Sequence, residues 1–173
     1  MKIILIGYMA SGKTAVGQLL SSNLNLPFLD LDYQISEEQG MTIPEIFSKK
    51  GEIAFRKLEM KRLEDLLSED RSYVLSLGGG TPCYGKNLEL IKQTPDVRLV
   101  YLKASLEKLT ARLMKERTSR PLISHLETQE LLEDFIRKHM FERGYYYNQS
   151  DIIVDADSPD IPGIAQEIQK KLL

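Results

Sequence analysis

The chain has 173 residues, of which 42% are hydrophobic and 28% charged, which suits one globular domain and excludes a disordered protein. Its formal net charge of −2 shows no basic excess, so we expect neither nucleic acid nor an anionic membrane as a partner. Cys83 is the only cysteine, which excludes an intrachain disulfide, and we expect a small buried side chain there. The two histidines, His125 and His139, have no flanking ligand pattern, and we expect both to be solvated or structural.

Short apolar runs alternate with helical patterns along the chain. The first run, "KIILI", is too short for a signal peptide and leads directly into a glycine loop, so we expect a cytoplasmic protein. Strands are predicted at 3–6, 27–32, 73–77, 97–102 and 151–156. Apolar residues at helical spacing predict helices over 16–24, 53–67, 106–113, 130–147 and the C-terminal stretch. This alternation predicts an α/β protein in which helices cover both faces of a parallel sheet.

The stretch "GYMASGKT" follows the first strand and precedes the first helix. Gly7, four residues, then Gly12, Lys13 and Thr14 form the pattern of a loop that holds the phosphates of a nucleotide. Glycines let the backbone N–H groups turn inward, and the N-terminus of the following helix favours negative charge. Lys13 is suited to the β- and γ-phosphates, and the Thr14 hydroxyl to Mg²⁺. The sequence therefore predicts a nucleoside triphosphate site.

Three kinds of protein carry such a loop: switches, transferases and binding modules without catalysis. A guanine-specific switch needs an Asn/Thr-Lys-x-Asp stretch, which the sequence lacks, so a transferase is favoured. A binding module would lack the residues of an acceptor site. The acceptor site therefore decides between the two remaining classes.

Asp30 and Asp32 lie at the end of the second predicted strand. If the strand continues through Asp32, both carboxylates project from one face at the edge of the sheet where ligands bind. One carboxylate near Mg²⁺ and one near an acceptor hydroxyl would suit phosphoryl transfer. The alternative is a turn that starts a helix, with Asp32 as a cap before "YQISEEQ".

Two further stretches carry candidate acceptor residues. "GEIAFRKLE" places Arg56 early in a helix, where a single arginine is usually solvated. "LGGGTP" has three glycines after the third strand, which is costly in conformational entropy unless a ligand or another group must come close. The segment 115–127, "KERTSRPLISHLE", is polar and basic, and Pro121 interrupts its helical pattern; by itself it is equally consistent with a plain surface loop.

Taken together, these stretches resemble the shikimate kinase family of the nucleoside-monophosphate-kinase-like superfamily. The resemblance rests on "GYMASGKTAVG", "FLDLD", "GEIAFRKLE", "LSLGGGTP", "TSRPLI" and "FERGYYYNQSD", which follow the family's order over nearly all of the chain. It implies a phosphate-loop α/β/α fold with a five-stranded parallel sheet in the order 2-3-1-4-5. It also implies one kinase domain over 1–173, an acceptor-binding segment at about 31–60 and a mobile lid at about 115–127.

The resemblance further implies a reaction. A monomer would transfer a phosphoryl group from ATP, with Mg²⁺, to the 3-hydroxyl of shikimate in the pathway to aromatic amino acids. The catalytic residues would be Lys13, Asp32 and Arg120, and Thr14 and Asp30 would serve the metal. The residues implied for ATP are Gly7, Ala10, Ser11, Gly12, Lys13, Thr14, Ala15, Arg112 and Arg120. Those implied for shikimate are Asp32, Arg56, Gly78, Gly79, Gly80 and Arg143.

The chain also departs from the family's pattern. Ala10 and Ala15 stand where many relatives have a glycine and a hydroxyl residue, and the stretch from Arg112 to Arg120 is one residue longer. An arginine that many relatives carry after the last strand is missing from "VDADSPDIP". A gluconate kinase would share the loop and the fold but not the three glycines with Arg56, and a nucleoside monophosphate kinase would need a larger acceptor pocket.

Overall fold

The computed structural model describes all 173 residues and contains one five-stranded sheet. All strand pairs are parallel and the order is β2-β3-β1-β4-β5, which confirms the predicted sheet. The central strand β1 pairs with β3 and with β4. In both registers Lys2 is the first paired residue, with Tyr73 as its partner in β3 and Val97 as its partner in β4. The strands are β1 (Lys2–Ile6), β2 (Phe28–Asp30), β3 (Tyr73–Ser76), β4 (Val97–Lys103) and β5 (Ile152–Asp155).

Eight α-helices connect and cover these strands. Helix α1 packs beside α8, α6 packs beside α7, and α2, α3 and α4 pack on one another. No helix is both long enough and apolar enough to cross a lipid bilayer. The helices are α1 (Lys13–Leu24), α2 (Leu31–Gln39), α3 (Ile43–Lys50), α4 (Glu52–Ser68), α5 (Asn87–Gln93), α6 (Leu106–Glu116), α7 (Gln129–Tyr147) and α8 (Ile161–Leu172).

The central strands are buried because the sheet is covered on both faces. Ile3, Ile4, Leu5 and Ile6 have no exposed surface, which explains why β1 is a continuous apolar run without alternation. They belong to one hydrophobic core of 37 buried residues. The carboxyl ends of β1, β2 and β3 therefore lead out of a rigid base into the loops that carry the predicted site.

Helix α3 is an element that the apolar pattern alone does not predict. Its start has a reciprocal cap: the Glu45 carboxylate accepts from the Thr42 amide at 2.7 Å, and the Thr42 hydroxyl accepts from the Glu45 amide at 3.3 Å. Pro44 lies in the first turn, where a missing N–H has no effect. The short sequence "TIPE" was the available signal, since Thr and Glu three residues apart before a helix form a capping box.

Gly17 lets α1 approach the sheet closely. A Cβ atom there would lie 2.5 Å from the Phe28 ring and 3.0 Å from Leu5 Cδ1. We predict that Gly17→Ala destabilises the protein by about 1–3 kcal/mol despite the better helix propensity of alanine. Gly144→Ala in α7 is the matched control, because a Cβ there meets only Asn148 Nδ2 at 3.8 Å.

The measurement for this pair is the free energy of unfolding from urea titration. The control should be neutral or more stable by about 0.5–1 kcal/mol, because only the propensity term acts there. Equal stability changes in the two variants would contradict the close approach of α1 to β2.

Candidate active site

The glycine loop between β1 and α1 forms a cradle of backbone amides. A Cβ at Gly7 would lie 2.7 Å from the carbonyl oxygen of Leu102, so the neighbouring strand leaves no room for a side chain. Gly12 has a φ of +94° and caps α1 without a side-chain hydrogen bond, which leaves the first amides of the helix for an anion. Ala10 has a φ of 63°, a left-handed conformation that costs about 1 kcal/mol or more without glycine.

The ammonium group of Lys13 lies inside this loop. Its Nζ donates to the carbonyl oxygens of Gly7 at 2.8 Å and Tyr8 at 3.0 Å. Burial lowers the pKa of Lys13 to about 8, although the carboxylates of Asp32 and Asp30 act in the opposite direction. Lys13 is therefore a cation held by neutral oxygens, and phosphate oxygens would bind it better.

Asp30 and Asp32 do not share a strand, so that expectation was wrong. Strand β2 ends at Asp30, whose Oδ1 accepts from the Tyr33 amide at 3.0 Å and caps α2. Asp32 lies in the first turn of α2; the alternative of a capped helix is thus correct, with Asp30 and not Asp32 as the cap. The chain changes from strand to helix here because the Asp30 side chain satisfies an amide of the first turn.

Both carboxylates nevertheless line one cavity of about 400 Å³ beside the glycine loop. Ser76 and Leu77, at the end of β3, form part of its wall. The cavity brings together most of the predicted phosphate, metal and acceptor-hydroxyl residues, and these are Ala10, Gly12, Lys13, Thr14, Ala15, Asp30, Asp32, Gly78, Gly79 and Arg120.

The environment of Asp32 favours the protonated carboxyl group. Burial is the main cause, and the nearby carboxylates of Asp30 and Glu59 add to it, so the pKa of Asp32 rises to about 6. Its Oδ1 is buried and accepts no hydrogen bond within the protein. Buried polar atoms without a partner are rare, and at a cavity they indicate a ligand group that supplies the missing donor.

The three glycines after β3 make room for three charged side chains. A Cβ at Gly78 would lie 3.2 Å from Asp32 Oδ1, one at Gly79 would lie 3.0 Å from Arg143 Nη1, and one at Gly80 would lie 2.9 Å from Arg56 Nη2. Each glycine therefore faces a different predicted acceptor residue. Side chains at these positions would displace the groups that surround the acceptor site.

Arg56 is held by a buried carboxylate. Its Nη1 donates to Glu59 at 2.8 Å, and the other oxygen of Glu59 accepts from the Thr81 hydroxyl at 2.7 Å. Glu59 is 1% exposed, so this ion pair lies largely out of water. The prediction that a single helical arginine is usually solvated does not apply here, because Arg56 and Glu59 share one face of α4, three residues apart.

Arg143 reaches the same region from α7. It makes no ion pair with any carboxylate, and its guanidinium lies 5.4 Å from the centre of the Tyr8 ring. Tyr147, one turn further along α7, donates from its hydroxyl to the Gly79 carbonyl at 2.5 Å. Arg143 is thus an unpaired cation beside the three glycines, at the position expected for an anion-binding group.

His139 has a structural role, which is one of the two roles expected for the histidines. Its Nδ1 is 2.8 Å from the Tyr8 hydroxyl, and its ring packs edge-on against Phe135. His125 is exposed. Cys83 is partly buried and packs against the hydrophobic core, so the expectation of a small buried side chain is met only in part; it directly precedes the loop that leads to α5.

Arg120 and Arg112 approach the cavity from the other side. Arg120 lines the cavity and makes two hydrogen bonds to Glu116, at 2.8 Å from Nε and 2.5 Å from Nη2. Arg112 donates to the carbonyl oxygens of Ala10 at 3.2 Å and Ala156 at 2.8 Å. It thereby joins the glycine loop to the segment after β5, and its expected contact with adenine stays a prediction.

The metal expected at this site has suitable ligands but no complete protein shell. Thr14 presents an exposed hydroxyl and Asp30 a carboxylate at the same cavity, and both are hard oxygen donors. No three His, Cys, Asp or Glu side chains come together as a ligand cluster. These residues fit Mg²⁺ bound together with phosphates, since Mg²⁺ keeps several waters and takes few protein ligands.

Comparison with known proteins gives the family of the chain. The family model described as shikimate kinase matches residues 9–173. The chain is 48% identical over 173 residues to the shikimate kinase of Flavobacterium psychrophilum, which covers 99% of this chain and 98% of that protein. The chain belongs to the shikimate kinase family. The shikimate kinase of Flavobacterium johnsoniae is 44% identical and covers 96% of each chain.

Solved structures agree with this membership. The crystal structure of shikimate kinase from Bacteroides thetaiotaomicron superposes with a TM-score of 0.91 at 34% identity, covering 99% of this chain and 98% of that chain. Shikimate kinase from Acinetobacter baumannii in complex with shikimate superposes with a TM-score of 0.83 at 33% sequence identity, covering 99% of this chain and 92% of that chain. A gluconokinase from Sinorhizobium meliloti gives 0.61 at 18% identity and shares the fold alone. The expected family, fold and kinase activity are confirmed.

The raised pKa of Asp32 predicts a stability cost. The folded state binds this proton more tightly than the unfolded state does, since the pKa is about 6 instead of 3.8. Folding stability therefore decreases as the pH rises from about 4 to about 6, and the full cost is present above that window. Asp32→Asn should raise the free energy of unfolding at pH 7.5 by about 1–3 kcal/mol.

Urea titration at pH 7.5 and pH 4 measures this effect, and the gain should largely disappear at pH 4. Asp65→Asn, on an exposed part of α4, is the control and should change stability by less than about 0.5 kcal/mol. A gain for Asp32→Asn that is equal at both pH values would show that the cost is not electrostatic.

Proposed function

We propose that this chain transfers the γ-phosphoryl group of ATP to the 3-hydroxyl of shikimate, yielding shikimate 3-phosphate and ADP, with the residues described above in specific roles. The observation that carries the assignment is the arrangement at the three glycines. Asp32, Arg143 and Arg56 approach Gly78, Gly79 and Gly80 in turn, beside the cavity of the glycine loop. The relative from Acinetobacter baumannii, solved in complex with shikimate, supports the same acceptor.

The two arginines bind the acceptor carboxylate. Glu59 occupies Nη1 of Arg56, whereas Nε of Arg56 is buried without a partner. A carboxylate suits this free side of the guanidinium because Nε and Nη2 form a planar fork that donates two parallel hydrogen bonds. Arg143, which has no carboxylate partner, supplies the second cation.

Asp32 receives the proton of the acceptor hydroxyl. Its unpaired Oδ1 accepts a hydrogen bond from the hydroxyl, which orients the oxygen toward the γ-phosphorus. As the new O–P bond forms, the bond from the γ-phosphorus to the ADP oxygen breaks and the proton passes to Asp32. A pKa of about 6 makes this carboxylate ionised at neutral pH and a better proton acceptor than an ordinary aspartate.

The phosphates are held by backbone and cations. The amides of the glycine loop and of the first turn of α1 donate to the β-phosphate. Lys13 exchanges the carbonyl oxygens of Gly7 and Tyr8 for phosphate oxygens. Arg120 leaves Glu116 and neutralises charge on the transferring group, since this ion pair is exposed and weak.

Thr14, through its hydroxyl, and Asp30, through its carboxylate, would hold the Mg²⁺ that accompanies ATP. When bound, the ion neutralises phosphate charge and fixes the orientation of the γ-phosphate. Ala10, Gly12 and Ala15 line the cavity in which the phosphates would lie, and the buried Ser11 belongs to the same loop. Arg112, which donates to the Ala10 carbonyl, would lie beside the adenine. A monomer, a cytoplasmic location and closure of the lid stay predictions of the sequence.

The reaction is tested by ADP release from Mg·ATP with shikimate, gluconate, AMP or no acceptor. We expect turnover with shikimate and at most slow hydrolysis otherwise. AMP has no carboxylate for Arg56 and Arg143, and the open chain of gluconate would have to be ordered before its carboxylate and a hydroxyl could take the positions that a ring holds fixed. Turnover with gluconate or AMP alone would overturn the proposed acceptor. ATP binding without turnover on any acceptor would favour a binding module.

The pKa values predict a bell-shaped pH profile. Asp32 must be ionised, so kcat/KM should rise as the pH increases through about 6. Lys13 must be protonated, so kcat/KM for ATP should fall as the pH passes about 8. With saturating ATP the alkaline limb of kcat should move to higher pH, because bound phosphates favour the charged ammonium.

Initial rates between pH 5 and pH 10 measure both limbs. Lys13→Arg is the control, because a guanidinium stays protonated and its residual activity should lack the alkaline limb. Binding of Mg·ATP without acceptor corrects the acid limb for ionisation of the nucleotide itself. An alkaline limb that survives in Lys13→Arg would assign it to another group.

A further inference from the structure

We propose that Tyr84 is a positioning residue for the acceptor carboxylate and that it acts through Arg56. The inference rests on the proposed function, since it assumes that Arg56 binds the carboxylate of shikimate. Tyr84 lies just after the short 3₁₀ helix Thr81–Cys83, which follows the three glycines. Neither its position in the sequence nor the resemblance to the family indicated a role for it.

The ring of Tyr84 covers one face of the Arg56 guanidinium. The distance from Arg56 Cζ to the ring centre is 3.7 Å, which is close contact for a cation on an aromatic face. A Cβ at Gly80 would be closer to Nη2 and Nη1, at 2.9 and 3.2 Å, than to Cζ, at 3.4 Å. Gly80 therefore borders the edge of the guanidinium, and Tyr84 borders its face.

These contacts leave one direction for a ligand. Glu59 occupies Nη1, which fixes one corner of the guanidinium but still permits it to tilt about that corner. The ring of Tyr84 prevents tilting toward its side. Nε, which is buried and has no hydrogen-bond partner, is then held together with Nη2 as a fork in one defined plane.

Tyr84 is itself anchored to the helix that carries Arg56. Its hydroxyl donates to Glu52 Oε1 at 3.0 Å, and Glu52 lies one turn before Arg56 in α4. The ring and the guanidinium are thus attached to the same turn of helix. This arrangement keeps the stacked pair together even though Tyr84 is 40% exposed.

The ring also covers one face of Arg56 against water. Arg56 and Tyr84 line an open cavity of about 560 Å³ together with Ile53 and Met60. Without the aromatic ring, the covered face of the guanidinium would border this solvent-filled space. Water would then compete with the carboxylate, and the arginine would lose its defined plane before the acceptor binds.

Steady-state kinetics of Tyr84→Leu test this role. We expect the KM for shikimate to rise about tenfold, while kcat and the KM for ATP stay within about twofold. Tyr84→Phe keeps the aromatic face but loses the hydrogen bond to Glu52, so the KM for shikimate should rise by no more than about threefold, clearly less than in Tyr84→Leu. Tyr145→Leu, which removes a 72% exposed ring on α7, is the matched control and should change nothing.

A double-mutant cycle shows whether Tyr84 acts through Arg56. In an Arg56→Lys background, Tyr84→Leu should change the KM for shikimate by less than about twofold, because lysine has no planar fork to orient. A full tenfold effect in that background would overturn the proposal. So would an equal loss of activity in Tyr84→Phe and Tyr84→Leu, since the aromatic face would then be irrelevant.

A purely structural role has a different signature. It would lower the unfolding midpoint of Tyr84→Leu and reduce activity toward ATP and shikimate alike, which contradicts the proposal. Tyr84→Met, which keeps volume without an aromatic face, gives the same test if the leucine variant is unstable. Failure of the proposed function would appear separately, as absence of shikimate turnover in the unchanged chain.

Discussion

The absence of side chains at Gly78, Gly79 and Gly80 is the constraint on which the site depends. Asp32, Arg143 and Arg56 come from three different helices, and each has an atom within 3.2 Å of the position that a Cβ on one of these glycines would take. The glycine segment follows β3, so the rigid sheet determines where the three side chains converge. Replacement of a glycine would move a charged group and not merely fill a space, because the Cβ would lie only 3.2, 3.0 or 2.9 Å from Asp32, Arg143 or Arg56.

The charges of the site are arranged at a cost to stability. Asp32 and Lys13 both have pKa values displaced toward their neutral forms by burial. Glu59 lies buried but has Arg56 and Thr81 as partners. The ion pair that positions Arg56 is therefore satisfied, whereas Asp32 Oδ1 has no hydrogen-bond donor and Lys13 is held only by neutral carbonyl oxygens. Substrates supply those interactions, so the same feature that destabilises the free protein favours the bound state.

The phosphate-binding half and the acceptor-binding half of the site have different relations to the fold. The gluconokinase with a TM-score of 0.61 shares the sheet at 18% identity, so the scaffold is compatible with more than one acceptor. On the proposed function, selectivity for a small hydroxy-carboxylate would reside in the segment from α2 to α4 and in the three glycines. Tyr84 and Glu52 would extend that selectivity by orienting Arg56, the arginine proposed to bind the acceptor.

The local sequence pattern determined the positions of the strands, the glycine loop and the candidate site residues. Apolar runs and Gly-x₄-Gly-Lys-Thr are patterns of neighbouring residues, so they can be read without the fold. The local sequence also contained the caps of α2 and α3, although the pattern "FLDLD" was misread as strand through Asp32, since a side-chain cap outweighs alternation. Only the tertiary structure decided that Arg56 pairs with the buried Glu59, that Arg143 stays unpaired, and that Tyr84 stacks on Arg56. These contacts join segments far apart in the chain, and their energies depend on burial and distance, which no local pattern encodes.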